Sequence, residues 1–268
     1  MTAYLCATCG TQYAPSDSPP ERCPICDDER QYIGAGGQRW TTLEDLRQGH
    51  DNAIHEHEPN LLSLMTVPGF AINQRAFLIR TDRGNVLWDC LALLDDATVT
   101  VIRALGGLSA IAFSHPHYYT TMVDWSKAFD APVLIHRDDA EWVQRPHPSI
   151  RFWDGEREEL EQGVTLVNTG GHFPGASVLH WPAGAEGRGV LLSGDTIQGV
   201  ADSRWVSFMY SYPNLVPLGA QAVERIAEAV RPLPYDRLYG AFAGRIVPED
   251  AATAVQRSAR RYITAVRG

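Results

Sequence analysis

The sequence predicts an α/β fold, and three observations lead to that prediction. Short apolar runs typical of strands alternate with amphipathic stretches typical of helices along most of the 268 residues. Two pairs of neighbouring runs are close enough in the chain to form antiparallel hairpins. Three apolar runs are followed closely by histidine or aspartate, which places polar side chains along one edge of a sheet.

The composition fits one large domain plus a small module. With 44% hydrophobic residues, the chain can bury a sizeable core. A formal net charge of −9 argues against a nucleic-acid partner, because such proteins usually present a basic face. The first residues lack a secretory signal, and no stretch approaches the roughly 18 apolar residues of a membrane span. We therefore expect a cytoplasmic protein with a small-molecule substrate and no membrane partner; homo-oligomerisation stays open.

Two Cys-x-x-Cys pairs near the start of the chain predict a metal-binding module. Cys6 and Cys9 form the first pair, and Cys23 and Cys26 form the second. Four thiolates at this spacing close a tetrahedral zinc site and leave no open position for chemistry. The pairs resemble the knuckles of zinc-ribbon and rubredoxin-like modules. We expect structural zinc at these cysteines. Iron is the alternative, because rubredoxin holds iron in the same ligand set.

A glycine-rich segment at residues 34–37 separates this module from the rest of the chain. We predict a zinc-ribbon-like module with its linker over residues 1–37 and the main domain over residues 38–268. The polar, proline-rich insert between the cysteine pairs cannot form a hydrophobic core. The module is therefore expected to need its metal in order to fold.

The main domain is predicted to alternate strands and helices after a polar start. His50, His55, His57 and Glu58 are interpreted as loop residues, because no apolar strand delivers them to a site. Residues 145–155 are predicted to form a loop over the mouth of the site. The predicted strands are 75–81, 85–90, 110–113, 132–136, 164–167, 177–181, 189–193 and 237–239, and the predicted helices are 96–105, 121–129, 138–144, 218–230 and a last one that opens at 248–250.

Three segments of the main domain carry candidate metal ligands. His115 and His117 are two residues apart, directly after the apolar run at 110–113. His172 follows a strand and a pair of glycines, and Asp195 follows another buried strand. Imidazole and carboxylate groups are common zinc ligands, so these side chains predict a metal site at one edge of the sheet.

In order and spacing these residues resemble the metallo-β-lactamase superfamily. That family carries His-x-His-x-Asp-His, then a single His after a glycine, then an Asp at a strand end, then a late His. The resemblance extends from about residue 75 to the end of the chain. It implies an αββα sandwich, with two sheets back to back and helices outside. It also implies His115, His117, His172 and Asp195 as ligands of the active-site metal.

The chain departs from the family pattern where the second metal of that family binds. Tyr119 and Thr120 stand where the family has Asp-His, and residues 239–242 contain no late His. All three histidines of the first metal are present, whereas only Asp195 remains of the second set. The resemblance is thus to a divergent metallo-hydrolase branch. We expect one active-site metal, zinc first and iron as the alternative.

The leading functional hypothesis is hydrolysis of a small ester, lactone or thioester by a mononuclear metal-bound hydroxide. A zinc ion held by neutral histidines lowers the pKa of bound water from about 15.7 to about 7 and polarises a carbonyl group. Asp195 is the nearest predicted base. Tyr118 or Tyr119 would donate to a developing oxyanion. Alternatively, Tyr119 fills the space of the missing second metal with apolar surface.

Four further residues are predicted around the site. Asp89 ends a strand where the family often has an Asp-Thr-Gly turn, so it is expected either to orient a ligand histidine or to serve only as a turn residue. Phe173 directly follows the third histidine. His136 ends a strand and is expected to pack in the core by default, with pocket lining as the alternative. Trp205 belongs to the aromatic run 204–213, which is interpreted as pocket wall or as core.

Two other functions stay open. A mononuclear non-haem iron oxygenase of persulfide-dioxygenase type would use His115, His172 and Asp195 as a two-histidine, one-carboxylate set. Such superfamily members keep the Asp-His pair that is missing here. The other alternative is a catalytically degenerate metal-binding or scaffold protein whose N-terminal module contacts a partner.

Overall fold

The N-terminal cysteine pairs lie in a small unit with a two-stranded sheet. The computed structural model describes residues 1–268. The second strand of this sheet lies beyond residue 37, where the sequence predicts the domain boundary, and pairs antiparallel with the first. The unit therefore shares a sheet with the segment that enters the main domain. Its elements are β1 (Tyr4–Cys6), α1 (Pro24–Asp27), β2 (Trp40–Thr42) and α2 (Leu43–Arg47).

The first large sheet has seven strands whose spatial order follows the chain. Its first four strands pair antiparallel, and its last four pair parallel. Helical crossovers connect the parallel strands, as such pairing requires. The elements are β3 (Asp51–Glu58), β4 (Leu61–Val67), β5 (Arg75–Ile79), β6 (Val86–Trp88), α3 (Asp96–Ala104), β7 (Ala110–Ala112), α4 (Met122–Phe129), β8 (Val133–His136) and β9 (Ile150–Trp153).

The second large sheet has six strands, with the order β10-β11-β12-β13-β18-β19. All neighbours pair antiparallel except β13 and β18, which are parallel. Two short hairpins, β14-β15 and β16-β17, lie between them in the chain. The elements are β10 (Arg157–Leu160), β11 (Val164–Asn168), β12 (Ser177–Trp181), α5 (Gly184–Gly187), β13 (Val190–Leu192), β14 (Gln198–Gly199), β15 (Val206–Ser207), β16 (Met209–Ser211), β17 (Val216–Pro217), α6 (Ala220–Val230), β18 (Arg237–Tyr239), β19 (Ile246–Val247) and α7 (Ala251–Arg267).

Alternate side chains of the strands build three hydrophobic layers. In β5, Phe77 lies between the two sheets, whereas Leu78 packs with α3 and α4 on the outer face. Trp88 and Trp181 bring the two sheets together in the middle layer. Helices α6 and α7 cover the outer face of the second sheet. This confirms the predicted αββα sandwich. None of the helices combines the length and apolar character needed to span a membrane.

The predictions from the sequence are wrong at both edges of the first sheet. His55, His57 and Glu58 lie on β3 rather than in a loop, and residues 145–155 contain β9. Most side chains of β3 face solvent, so this edge strand lacks the continuous apolar run of a central strand. The segment 138–144, predicted as an ordinary helix, is largely a 3₁₀ helix that ends at Trp142.

Glu58 ties the first sheet to the second. Its side chain is 5% exposed. Its carboxylate accepts hydrogen bonds from the Tyr239 hydroxyl at 2.8 Å and from the Ala185 backbone N–H at 2.6 Å. It also pairs with Arg237, on the same strand as Tyr239, at 3.2 Å. A buried carboxylate with three partners is costly to remove, because each partner is left without its acceptor.

We predict that Glu58→Ala lowers the free energy of unfolding by about 2–4 kcal/mol, since it removes the buried acceptor of three donors. Urea unfolding followed by circular dichroism measures the change. Glu56→Ala is the matched control, because Glu56 is exposed on the same strand, and its effect should stay within about 0.5 kcal/mol. Equal effects of the two substitutions would contradict the role of Glu58.

Candidate metal and active site

The ends of three strands bring the predicted ligands to one edge of the sandwich. β7 leads to His115 and His117, β11 leads to His172, and β13 leads to Asp195. These residues are between 1% and 4% exposed. Their ligand atoms all lie within 4.8 Å of one another. Residues that are up to 80 positions apart in the chain therefore form one cluster of donors.

The separations between the donor atoms fit a single metal ion. His117 Nδ1 lies 3.2 Å from His115 Nε2 and 3.4 Å from His172 Nε2. Asp195 Oδ2 lies 3.5 Å from His115 Nε2. With metal–nitrogen bonds of about 2.0–2.1 Å, a tetrahedral ion places its ligand atoms about 3.3 Å apart. The residues present therefore fit one metal ion held by the three histidines, with Asp195 close enough to bind the ion or to contact its fourth ligand.

Hydrogen bonds on the far side of two imidazole rings orient them. The Ser114 hydroxyl lies 2.9 Å from His115 Nδ1 and donates to Asp89 Oδ1 at 2.9 Å. Asp89 also accepts the Ser114 backbone N–H at 2.8 Å. His172 Nδ1 lies 3.3 Å from the Met209 carbonyl oxygen. Asp89 therefore reaches His115 through Ser114. The sequence left open whether Asp89 would contact a ligand histidine or serve only as a turn residue.

Burial sets the charge state of the candidate ligands. Desolvation lowers the pKa of His115 and of His172 to about 3, and it lowers the pKa of His117 well below its ordinary value. Neutral imidazole is the form that binds a metal ion. Desolvation also raises the pKa of Asp195 to about 6. A cation among these groups would favour the carboxylate form of Asp195.

Two tyrosines and a close backbone approach hold Asp195. The Tyr118 hydroxyl donates to Asp195 Oδ1 at 3.4 Å, and the Tyr212 hydroxyl donates to the Asp195 carbonyl at 2.8 Å. Gly194 has φ of +51°, and a Cβ there would lie 2.5 Å from Ser114 Cβ. The turn before Asp195 can thus pack against the loop of the first histidines only with glycine at this position.

The positions of the missing second-metal ligands carry no donor side chain in the cluster. Tyr119 is buried in the hydrophobic core, with its ring 5.3 Å from that of Phe113, and does not line the cavity at the site. Thr120 accepts the backbone N–H of Gln12 at 3.1 Å through its carbonyl group. Phe242 lines the cavity in the segment where the family has its late His.

A cavity of about 290 Å³ opens beside the cluster. His117, His172 and Asp195 line it. A larger cavity of about 490 Å³ lies around Arg80 and contains none of these ligands. The other residues that line the smaller cavity are Arg30, Gln31, Tyr32, Ala71, Ile72, Asn73, Tyr212, Pro213 and Phe242.

Of the residues predicted around the site, Phe173 lies beside the histidines, whereas His136 and Trp205 lie elsewhere. The ring of Phe173 lies 5.0 Å from that of His117 and 5.2 Å from that of His172. His136 instead packs against Trp153 and lies 3.0 Å from the Gly155 carbonyl oxygen. Trp205 packs under Arg261 of α7, with the guanidinium carbon 3.6 Å from the ring centre. The structure thus places neither His136 nor Trp205 along the cavity.

The aromatic run 204–213 contributes both to the hydrophobic core and to the wall of the cavity, the two roles that the sequence left open. Phe208 lies in the hydrophobic core under α6 and α7, whereas Tyr212 and Pro213 line the cavity. Arg30 and Gln31 also line the cavity and were not predicted from the sequence. No motif marks these two residues, because only the docking of the N-terminal unit brings them to the site.

The four cysteines form a second cluster of donors. Cys6 Sγ lies 3.5 Å from Cys26 Sγ, and Cys9 Sγ lies 3.7 Å from Cys23 Sγ. Zinc–sulfur bonds of about 2.3 Å place tetrahedral ligand atoms about 3.8 Å apart. None of the cysteines is in a disulfide. Gln38 donates to Cys6 Sγ at 3.1 Å. Hydrogen bonds from Cys23, Cys26 and Cys9 lower the pKa of Cys6, which favours its thiolate form.

Comparison with known proteins supports the same fold. The solved metallo-β-lactamase DIM-1 is 13% identical, with a TM-score of 0.60, and the match covers 80% of this chain and 98% of that chain. The metallo-β-lactamase SMB-1, in a complex with mercaptoacetic acid, is 17% identical, with a TM-score of 0.55 and coverage of 77% and 93%. At these identities the likeness shows the fold alone.

A curated relative matches this chain along nearly its whole length. YmaE, an uncharacterized protein of Bacillus subtilis (strain 168), is 54% identical over 268 residues, which is 99% of this chain and 97% of that protein. The family model described as the metallo-beta-lactamase superfamily matches residues 70–241, which is more than half of the chain. The protein therefore belongs to the metallo-β-lactamase superfamily.

Proposed function

We propose that the protein is a metal-dependent hydrolase that cleaves a small ester, lactone or thioester with one active-site metal ion. The observation that carries the proposal is the buried set of three neutral histidines and Asp195, with all ligand atoms within 4.8 Å. The cavity beside this set, of about 290 Å³, is near the lower end of the range for small-molecule sites. Membership of a largely hydrolytic superfamily supports the reaction class.

His115, His117 and His172 would hold the ion, which when bound polarises a carbonyl oxygen and acidifies a water molecule. We take zinc as the metal, because the donor set of imidazoles and one carboxylate suits it. Since the three rings are neutral, they leave the positive charge of the ion undiminished. The Ser114–Asp89 pair would keep Nε2 of His115 directed inward.

Asp195 is proposed to accept the proton of the attacking water. Tyr118 donates to Oδ1 of its carboxylate, and Oδ2 lies on the side of His115. Burial raises the pKa of Tyr118 well above its ordinary value, so Tyr118 stays a neutral donor. Because its hydroxyl is engaged by Asp195, we assign Tyr118 to positioning this carboxylate. Tyr119, which packs against Phe113 in the core and does not line the cavity, has no catalytic role in this proposal.

The four-cysteine cluster is proposed to hold a structural zinc ion. All four thiols are at most 2% exposed, and they form the core of the N-terminal unit together with Tyr13 and Ile25. A site closed by four thiolates has no free position for a substrate. Its contribution is therefore to the fold of the unit, and through the fold to any residue that the unit places elsewhere.

We predict two metal equivalents per chain in protein expressed without added metal. The double variant His115→Ala/His172→Ala should lose one equivalent, and Cys9→Ser/Cys26→Ser should lose the other, because each removes two ligands of one ion. Elemental analysis of the purified proteins measures both. His55→Ala, an exposed histidine on β3, is the control that should lose none. An unchanged content in His115→Ala/His172→Ala would contradict the site; iron in place of zinc there would favour oxygen chemistry.

We predict that the metal-loaded protein hydrolyses at least one member of a panel of small esters, lactones and thioesters. His172→Ala should lower kcat/KM by about 10³-fold and Asp195→Asn by about 10²-fold or more, since they remove a metal ligand and the proposed base. Asp138→Asn, whose side chain is 59% exposed, is the matched control and should leave the rate unchanged. A panel with no cleavage, or rates indifferent to His172→Ala, would reject the proposed function.

A further inference from the structure

The segment 28–32 of the N-terminal unit is fastened across one side of the cavity. It begins two residues after Cys26. The Ser211 hydroxyl donates to the Arg30 carbonyl at 3.0 Å. The Asn214 side-chain amide donates to the carbonyl groups of Glu29 and Gln31 at 3.0 and 2.9 Å. The four-cysteine unit therefore supplies a wall of the cavity.

Arg30 is a fixed cation in that wall. Asp28 accepts hydrogen bonds from its Nε at 2.7 Å and from its Nη2 at 3.1 Å, and the His172 carbonyl accepts one from its Nη1 at 3.2 Å. Its guanidinium carbon lies 3.9 Å from the centre of the Phe173 ring. A guanidinium group has five N–H donors, so one on each Nη remains for a ligand.

Gln31 adds a further donor beside Arg30. Its side chain lines the cavity, and the residue is 5% exposed. Its Oε1 atom is buried and has no hydrogen-bond partner in the chain. The Nε2 donor also bonds to no other residue but, unlike Oε1, is not fully buried, so it is the end of the carboxamide that a ligand can reach. Polar groups held in a binding cavity without a protein partner are suited to a complementary group of the ligand.

The charges around the cavity favour an acceptor-rich, anionic group. Asp195 and Arg30 are the charged side chains that line it, and Asp195 faces the proposed metal ion. Arg30 and Gln31 both offer N–H groups. Guanidinium and amide N–H groups are donors that suit the oxygens of a carboxylate. Asp28 offsets part of the positive charge of Arg30. Selectivity for an anionic group therefore depends largely on the direction of the N–H groups.

We propose that Arg30 and Gln31 bind a carboxylate group of the substrate, so that the four-cysteine unit determines substrate specificity. The substrate is then a small acyl compound that also carries a carboxylate. For the reaction, this inference rests on the proposed function. For the binding of the carboxylate, it rests on the cavity alone.

A matched pair of probes tests the inference. Monomethyl glutarate carries a free carboxylate, and dimethyl glutarate is the same molecule with that charge removed by a methyl group. Calorimetric titration of the metal-loaded protein should show monomethyl glutarate binding about 10- to 100-fold more tightly, the range of a charge-assisted hydrogen bond. If the esters are cleaved, the same preference should appear in KM, with kcat within a few-fold.

Three variants separate recognition from stability. Gln31→Leu keeps the size of the side chain and removes its donor, and Arg30→Met keeps the apolar stem and removes the guanidinium group. Each should reduce the preference for monomethyl glutarate to about two- to threefold or less. Arg22→Met is the control, because this side chain is 71% exposed and pairs with Asp27 on the surface, and it should leave the preference intact.

The outcomes for the two proposals differ. Equal binding of both probes by the wild type, no binding of either, or a preference that survives both Gln31→Leu and Arg30→Met would overturn the assignment of Arg30 and Gln31. A preference for monomethyl glutarate without cleavage of any ester, lactone or thioester would retain this assignment and reject the hydrolase proposal.

Discussion

The docking of the N-terminal unit on the loop of the first two histidines is the contact on which the site depends. Gln12 donates its backbone N–H to the Thr120 carbonyl, and its side chain donates to Asp124 on α4 at 2.8 Å. Gly10 has φ of +81°, and a Cβ there would lie 3.1 Å from Ala92 Cβ and 3.4 Å from the Thr120 methyl group. The unit thus packs tightly where the family has a histidine of its second metal site. That packing gives a physical reason for the proposal of one metal ion instead of two.

The same docking links the two donor clusters. The chain leaves Cys26, passes along the cavity and places Arg30 against the loop of His172. The four-cysteine cluster and the histidine cluster are therefore separate in chemistry but joined by a short, well-bonded segment. A metal ion that stabilises the fold of the N-terminal unit would also stabilise a wall of the cavity. In this account the unit belongs to the binding site as well as to the scaffold.

Local sequence signals predicted the fold and the ligand cluster well, because strand-end ligands need only a buried strand and a short loop. His115, His172 and Asp195 each follow such a strand, and the structure brings them together. Local sequence signals failed where the position of a side chain depends on packing between segments that are distant in the chain. His136 also ends a strand but turns to Trp153, and Arg30 reaches the site only through docking. The domain boundary at residue 37 stays a prediction.

The most direct test of the one-metal account is anomalous diffraction from crystals of protein expressed without added metal, measured on both sides of the zinc and iron absorption edges. We predict one peak among the four cysteines and one peak at His115, His117 and His172, beside Asp195, with no third peak near Thr120. A second ion in the cavity, or no ion among the histidines, would contradict the account.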